Sequence, residues 1–322
     1  MRRIIEILLI TFLAVTILSG CNQTGVSEKI SIVCTVFPQY DWVCQILGTS
    51  ADRFKTTLLL DNKIDLHNYQ PTVDDIVKIS TCDLFIYVGG ESDGWVSDAL
   101  REAANKNMVA INLLDVLGDT AKFEEDIEGI ESEDNEEMEY DEHVWLSLKN
   151  ARIFCAAITD ALSTLDAKNA DGYHNNLDAY IKKLTALDAE YQSVADAALV
   201  RTFLFCDRFP FRYLADDYNI SYYAAFPGCS AETEASFATV IFLAQKMDEL
   251  QLPCIMVTES SDQSIAHTVI QNTKASNYKI CVLDAMQSVS SNDVQNGTTY
   301  LFIMESNLEV LKEALVPHPD RN

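Results

Sequence analysis

The chain has 322 residues, a formal net charge of −26, 48% apolar residues and 9% aromatic residues. That composition excludes a chain that is disordered throughout, and the length suggests about two domains. A chain this acidic would be repelled by nucleic-acid phosphates and by anionic lipid headgroups, so we expect neither a nucleic-acid partner nor a basic membrane-binding surface. An acidic surface suits a protein that handles cations.

Residues 1–21 have the pattern of a signal peptide. Arg2 and Arg3 precede a largely apolar run, Ile4–Leu18, which is too short for a comfortable membrane span. The run ends in the sequence Leu-Ser-Gly-Cys, which resembles the bacterial lipobox, so we expect cleavage before Cys21 and lipidation of its thiol. An ordinary signal peptide and an uncleaved anchor are the alternatives. The sequence therefore predicts an exported protein that is tethered by lipid.

Eight further cysteines follow in the mature part of the chain. Their spacing is irregular and includes no C-x-x-C pair, so neither a disulfide framework nor a thiol redox motif is indicated. Several stand in apolar strand-like runs, where a free cysteine behaves as a small apolar residue. We expect most of them to be buried free thiols.

The first half of the mature chain alternates short β-branched runs with amphipathic stretches. The predicted strands are Ile30–Phe37, Phe54–Leu60, Leu84–Val88 and Val109–Leu113. The predicted helices are Tyr40–Leu47, Asp74–Ser80 and Trp95–Ala104. Continuous apolar strands separated by helices indicate a parallel sheet that is covered on both faces.

One segment interrupts this alternation. Residues 124–142 read EEDIEGIESEDNEEMEYDE, with twelve acidic residues and no Lys or Arg. Like charges at this density repel one another, which predicts a mobile surface loop. The loop either keeps the protein soluble or collects divalent cations beside a tighter site.

The second half repeats the alternation after one long helix. The predicted strands are Thr202–Cys206, Ser221–Phe226, Cys254–Thr258 and Ile280–Leu283. The predicted helices are Phe211–Tyr218, Glu234–Leu250, Ile265–Thr273 and Tyr300–Leu315. Before them, apolar residues recur every three or four positions from about 171 to 199, which indicates a helix long enough to run the height of the molecule.

The sequence therefore predicts an α/β protein of two lobes, each a mostly parallel four-stranded sheet flanked by helices, joined by one long rigid helix. The boundaries are an N-terminal lobe at 28–165, a linker helix at 166–200 and a C-terminal lobe at 201–318. We expect a monomer.

Residue types that bind metal ions follow the predicted strands. Ligands of open parallel sheets bind beyond the carboxyl ends of the strands, and two of the five histidines, His67 and His143, take such positions. Asp65 is placed to orient the His67 ring, as carboxylates do for metal-bound imidazole. The other strand ends carry Cys206, Asp207, Glu232, Glu259 and Asp284. Two imidazoles with carboxylates suit zinc or manganese.

Motifs of other chemistries are absent from the sequence. It contains no G-x-S-x-G, no G-x-x-x-x-G-K-[ST], no G-x-G-x-x-G and no H-E-x-x-H. A metal-dependent hydrolase remains an alternative, because His and Asp at strand ends also describe such sites. It would need an open coordination position and a placed general base.

Two motifs carry a resemblance to a known family. Residues 65–72, D-L-H-N-Y-Q-P-T, resemble its D-P-H-x-Y-E-P-T motif, and residues 141–150, D-E-H-V-W-L-S-L-K-N, are similar to its D-P-H-V-W-L-S-P-x-N motif. Residues 36–41, 82–87 and 282–284 look like further segments of the same family. Over essentially its whole mature length, the chain resembles the metal-binding lipoproteins of ABC importers, the zinc/manganese solute-binding class known as cluster A-I.

The resemblance implies two α/β lobes bridged by a rigid helix, with the metal ion in the cleft between the lobes. It implies that His67 and His143 bind the metal, and that Asp284 can do so. Zinc-binding members of the family often carry a loop rich in histidine and acids before the second motif, and here that loop is acidic without histidine.

The third-ligand region departs from the family. Where the family has H-D-A-F-x-Y, this chain reads F-C-D-R-F-P-F-R-Y. One alignment puts Arg208 at the ligand position, where a guanidinium cannot bind a cation. Another alignment offers Cys206 or Asp207 instead. We favour Asp207 as the third ligand, with Glu232, Glu259 and Cys206 as substitutes.

The expected function is capture of one divalent ion, zinc in preference to manganese, and its delivery to an ABC importer permease. The protein would work on the extracytoplasmic face of a bacterial plasma membrane, and it would not be an enzyme. The alternatives are a metal-binding adhesin or scaffold lipoprotein, and a secreted metallohydrolase.

Overall fold

The computed structural model describes residues 29–61, 64–130, 139–229, 235–275 and 277–315. The predicted signal peptide, Cys21 and the candidate ligand Glu232 lie outside the described residues. None of the described helices combines the length and the apolar character that a bilayer crossing requires.

The first half of the chain folds around a parallel sheet. Its strands are β1 (Ile30–Cys34), β2 (Phe54–Leu58), β3 (Leu84–Tyr87) and β4 (Val109–Asn112), in the spatial order β2-β1-β3-β4. The helices of this lobe are α1 (Phe37–Leu47), α2 (Val73–Thr81), α3 (Val96–Glu102) and α4 (Leu113–Leu117). The central strands β1 and β3 are the most deeply buried, which explains their near-continuous apolar sequences.

The turn from β1 into α1 is tighter than predicted, because the strand ends three residues early and the helix begins at Phe37. A buried glutamine explains the difference. The Gln39 side-chain oxygen accepts hydrogen bonds from the backbone N–H groups of Thr35 (2.9 Å) and Val36 (3.3 Å). Pro38 occupies the first turn of the helix, where its missing N–H costs nothing.

A helix that is absent from the sequence-based prediction, α5 (Leu148–Leu165), begins where the second histidine motif ends. The Ser147 hydroxyl caps it by accepting from the N–H of Asn150 at 3.0 Å. Its buried residues are Leu148, Ala151, Phe154, Cys155, Ile158, Thr159, Ala161 and Leu162. Their spacing of three and four is typical of an amphipathic helix, so the sequence does carry the signal.

The predicted long helix is present as α6 (Ala170–Ala197), whose 28 residues span about 42 Å at 1.5 Å per residue. The predicted apolar stripe is buried along its whole length: Tyr173, Leu177, Tyr180, Leu184, Leu187, Tyr191 and Val194. The helix is tied to the first lobe by the Asn176 amide, which donates to the Ile46 carbonyl at 2.8 Å.

The second half repeats the architecture of the first. Its parallel strands are β5 (Thr202–Arg208), β6 (Ser221–Phe226), β7 (Cys254–Thr258) and β8 (Lys279–Leu283), in the order β6-β5-β7-β8. Its helices are α7 (Arg212–Asp217), α8 (Phe237–Leu250), α9 (Ser264–Gln271), α10 (Ser291–Gln295) and α11 (Tyr300–Leu315). Two parallel four-stranded sheets and one long helix confirm the predicted fold class.

Buried polar contacts hold the two lobes together beside the second histidine motif. The Trp145 indole donates to the Ala285 carbonyl at 2.9 Å, and the Tyr300 hydroxyl donates to the Trp145 carbonyl at 2.8 Å. The Tyr191 hydroxyl on α6 donates to the Met304 carbonyl on α11 at 2.6 Å. All three side chains that donate are fully buried, so these bonds fix the position of residues 143–146 against the C-terminal lobe.

The acidic segment is packed at both ends rather than exposed throughout. Phe123 and Tyr140 form an antiparallel bridge across it, and their rings stack at 4.3 Å between centroids. Asp141 and Glu142 are each only 2% exposed. The surface-loop prediction is therefore wrong for these two carboxylates, which point into the protein, and residues 131–138 lie outside the described residues.

The eight cysteines that follow Cys21 all lie among the described residues, where they form no disulfide, and six of them are buried. This confirms the expectation of buried free thiols. The two that are partly exposed are Cys44 on α1 and Cys229, which follows β6.

The burial of α6 can be tested by truncating one side chain of its stripe. Leu184 is fully buried, so Leu184→Ala should lower the free energy of unfolding by about 2–5 kcal/mol. Urea denaturation followed by circular dichroism measures the difference. Lys183→Ala on the exposed side of the same helix is the control, and an equal loss in both variants would contradict the packing described.

Candidate metal centre

Two imidazole rings from distant positions in the sequence meet between the lobes. His67 lies in a short 3-10 turn, Leu66–Asn68, that Asp65 caps by accepting from the His67 N–H at 3.0 Å. His143 precedes a second such turn, Val144–Leu146. The Nε2 atoms of the two rings lie 3.2 Å apart. Two nitrogen ligands of one tetrahedral zinc ion lie about 3.3 Å apart, so this spacing suits a shared ion.

Each ring is oriented through the nitrogen that faces away from the other ring. Nδ1 of His67 lies 2.9 Å from the Ser92 hydroxyl and 3.5 Å from Oε2 of Glu142. Nδ1 of His143 lies 3.1 Å from Oδ1 of Asp141, which also accepts the His143 backbone N–H at 2.8 Å. Partners of this kind fix the orientation and tautomer of metal-binding histidines, and leave Nε2 for the ion.

Burial and neighbouring charges set different protonation for the two rings. Burial, and then the charge of His143, lower the pKa of His67 to about 4, so this ring is neutral at pH 7. Burial also lowers the pKa of His143, but the hydrogen bond and charge of Asp141, together with the charges of Glu142 and Glu124, raise it above the ordinary value. Protons therefore compete with a metal ion mainly at His143.

A third atom of a type that can bind metal lies beside the two rings. Sγ of Cys229 and one nitrogen of each imidazole all lie within 4.8 Å of one another. Among the described His, Cys, Asp and Glu residues, this is the only group of three or more that meets that distance. Burial, and then the charges of Asp141 and Glu124, raise the pKa of the Cys229 thiol well above its ordinary value.

The backbone brings Cys229 close to the rings. Its N–H donates to Oε1 of Glu124 at 2.7 Å, so one end of the acidic segment holds this turn in place. A Cβ at Gly228 would lie 2.8 Å from the Phe209 carbonyl and 3.4 Å from Cε1 of His143, so only glycine fits there. From the sequence, Cys229 is expected only to be one of the buried thiols, and it is not among the predicted ligands. Its position after a strand, in Pro-Gly-Cys, is the signal that could have indicated a ligand.

The favoured third ligand, Asp207, is engaged elsewhere. Its Oδ2 accepts the Thr258 hydroxyl at 2.7 Å, and its Oδ1 accepts the N–H of Arg208 at 2.8 Å. The substitute Cys206 is buried among apolar side chains of the C-terminal lobe. Neither belongs to the group of ligand atoms around the two histidines.

Arg208 crosses the cleft instead of facing the imidazoles as a ligand would. Its Nη2 lies 2.6 Å from Oδ2 of Asp65, the residue that caps the His67 turn. Burial opposes ionisation of Asp65, but the charges of Arg208 and His67 together hold its pKa below the ordinary value. Asp65 thus joins the two lobes directly beside His67.

Asp284 and Glu259 bind backbone N–H groups of residues 285–287, and neither belongs to the group of ligand atoms around the two histidines. Oδ1 of Asp284 accepts the Met286 N–H at 2.7 Å, and burial, then the charge of Glu259, raise the pKa of Asp284 to about 7. Glu259 accepts the N–H groups of Ala285 (2.8 Å) and Gln287 (3.1 Å). The same loop places the Gln287 amide nitrogen 2.9 Å from Nε2 of His143.

Comparisons with known proteins agree in fold and family. A family model described as "ZnuA: Zinc-uptake complex component A periplasmic" matches residues 32–314. The zinc-binding lipoprotein AdcA of Streptococcus pneumoniae is 29% identical over 310 residues, which cover 96% of this chain and 60% of AdcA. The high-affinity zinc uptake system protein ZnuA of Bacillus subtilis is 28% identical over 292 residues, which cover 90% of this chain and 88% of that protein. The chain thus spans about 60% of the length of the AdcA relatives that it matches.

Solved structures give the same result. The metal-dependent lipoprotein YcdH of Bacillus subtilis superposes with a TM-score of 0.72 at 28% identity, over 90% of this chain and all of that one. The Zn(II)-bound ZnuA-like domain of Streptococcus pneumoniae AdcA superposes with a TM-score of 0.71 at 27% identity, again over 90% and 100%. The family model covers most of the chain, and the two histidine motifs meet where the resemblance implies. The chain belongs to the ZnuA family of zinc-uptake components.

Proposed function

We propose that this protein captures one divalent metal ion, zinc in preference to manganese, outside the cytoplasm and delivers it to an ABC importer permease. The observation that carries the proposal is the 3.2 Å separation of the His67 and His143 Nε2 atoms, with both rings held from behind. The names of two relatives support the proposal, because one is called a zinc-binding lipoprotein and the other a high-affinity zinc uptake system protein.

The family is one of transport components and not of enzymes, which confirms the prediction that the chain is not an enzyme and removes support for the hydrolase alternative. The adhesin alternative finds a likeness in the laminin-binding adhesin of Streptococcus agalactiae, but at 22% identity this shows the fold alone. Lipid anchoring through Cys21, a monomeric state and the permease as partner are part of the proposal.

Metal capture requires both Nε2 atoms to present lone pairs to the ion. At His143 this tautomer is set by Asp141, which accepts the Nδ1–H. At His67 the Nδ1–H would point to the Ser92 hydroxyl and to Oε2 of Glu142. That oxygen is buried and has no hydrogen bond within the described part of the chain, so a proton on Nδ1 gives it a partner.

The carboxylates around the rings favour a cation, although the negative charge of two of them is offset or reduced. Asp141 and Glu142 lie behind the imidazoles, while the Asp65 carboxylate is already paired with Arg208. Burial, opposed by hydrogen bonds from Ser92, raises the pKa of Glu142 to about 7. Glu142 can therefore gain negative charge when a cation arrives and lose it when the cation leaves.

Removal of either imidazole should abolish tight metal binding. His67→Ala and His143→Ala each delete one proposed ligand. Loss of a residue that only orients a ligand lowers metal affinity about 10- to 100-fold, so we expect these substitutions to lower the zinc affinity by more than that. Isothermal titration calorimetry on the purified protein measures this. His174→Ala, on the exposed face of α6, is the control. Zinc binding that is as tight in His67→Ala as in the parent would reject the proposed site.

The stability of the metal-free protein should depend on the charge of Glu142. Its pKa is about 7 in the folded protein and near 4.5 unfolded, so the stability it contributes is complete below pH 4.5 and is lost as pH rises through 7. Glu142→Gln should therefore raise the free energy of unfolding by about 2 kcal/mol at pH 8, and by little at pH 4.5.

Urea denaturation at the two pH values measures the difference. Asp52→Asn, at an exposed carboxylate, is the control and should show no such pH dependence. If Glu142→Gln were no more stable than the parent protein at pH 8, the carboxylate would not be held in the buried position described.

A further inference from the structure

Three metal-binding residue types converge at the candidate site, and two of them are histidines. We propose that Cys229 is the third ligand beside His67 and His143, and that its sulfur makes the site select zinc over manganese. This inference rests on the proposed function, because it presupposes that the two imidazoles hold a metal ion. The geometry that carries it is the convergence of one sulfur and two nitrogens within 4.8 Å.

The other candidate carboxylates in the described part of the chain already accept hydrogen bonds. Both oxygens of Asp207 accept hydrogen bonds, and Glu259 accepts two backbone N–H groups of the loop that follows β8. Asp284 accepts from Met286 in that same loop. Moving any of them onto the ion would leave buried N–H or hydroxyl groups without partners, which costs about 1–3 kcal/mol for each group. A thiol is only a weak donor and acceptor, so recruiting Cys229 breaks no comparable bond.

The turn that carries Cys229 is built to stay near the rings. Gly228 allows the backbone to pass against His143, and Glu124 holds the Cys229 N–H. The thiol is half-buried and His67 is partly exposed, whereas His143 is fully buried. The ion thus reaches the site from the side on which the sulfur lies.

Capture replaces a thiol proton with the ion. One S–H bond of Cys229 breaks, one bond between the sulfur and Zn²⁺ forms, and the proton passes to solvent, with no change of oxidation state. Two neutral imidazoles and one thiolate then surround the ion, with Zn–S near 2.3 Å and Zn–N near 2.0–2.1 Å as typical distances. A fourth position remains for water, which suits an ion that must later be released.

Sulfur as a ligand discriminates between the two candidate ions. Thiolate is a soft ligand that suits zinc, whereas manganese prefers carboxylate, carbonyl and water oxygens. We therefore expect Cys229→Ser to weaken zinc binding much more than manganese binding, so that the ratio of the two affinities falls at least about 10-fold. Cys229→Asp should shift the ratio further toward manganese.

Cobalt(II) provides a direct readout of the sulfur. Titration of the full mature chain with Co²⁺ should produce thiolate-to-cobalt charge-transfer absorption in the near ultraviolet, and zinc should displace it. The band should persist in Cys44→Ser, which removes the other partly exposed thiol, and vanish in Cys229→Ser. Competition titrations of zinc against manganese on the same proteins give the affinity ratio.

The outcomes separate this inference from the proposed function. If the parent protein bound cobalt and zinc tightly without a charge-transfer band, or if the band survived in Cys229→Ser, the sulfur would not be a ligand while metal capture would stand. If the parent protein bound no metal, or bound it equally well in His67→Ala, the proposed function would fail. Because the band is measured first in the parent protein, a folding defect in the variant leaves the test intact.

Discussion

The structure depends on the approach of two imidazole rings whose residues are 76 positions apart, to 3.2 Å between their Nε2 atoms. Two rings so close together, one of them fully buried, are costly to hold unless a partner on the far side of each ring fixes its position. Asp141 and the Ser92 hydroxyl do this at Nδ1. The hydrogen bond from the Trp145 indole to the Ala285 carbonyl in the C-terminal lobe further fixes the segment that carries His143.

A second constraint is charge. The chain is strongly acidic, and Asp141 and Glu142 lie directly behind the rings, yet two features limit the negative charge in this region. Arg208 neutralises Asp65 across the cleft, and burial raises the pKa values of Glu142 and Asp284 to about 7. Under the proposed function, carboxylates that titrate near neutrality would respond to the arrival of an ion, whereas a permanently anionic pocket would release a divalent ion less readily.

Sequence patterns were sufficient to predict the features that depend on residues close together in the chain. Apolar runs and helical spacing predicted both sheets and α6, and the two histidine motifs indicated His67 and His143. They did not indicate Cys229, whose sulfur lies beside the two rings. Which strand-end side chain turns toward the rings depends on contacts between segments distant in sequence, such as Thr258 with Asp207 and Glu124 with the N–H of Cys229. Helix α5 is different, because the spacing of its apolar residues is visible in the sequence. It was overlooked because its first residues belong to the second histidine motif.

The long helix α6 limits how far the two lobes can move apart. It packs its stripe of tyrosines and leucines against the helices of both lobes, so swinging the lobes apart would wet that stripe, at about 25 cal/mol for each Å² uncovered. Large hinge opening is therefore expensive. The helix thus holds Cys229, in the C-terminal lobe, at a nearly constant distance from His67 and His143, in the N-terminal lobe.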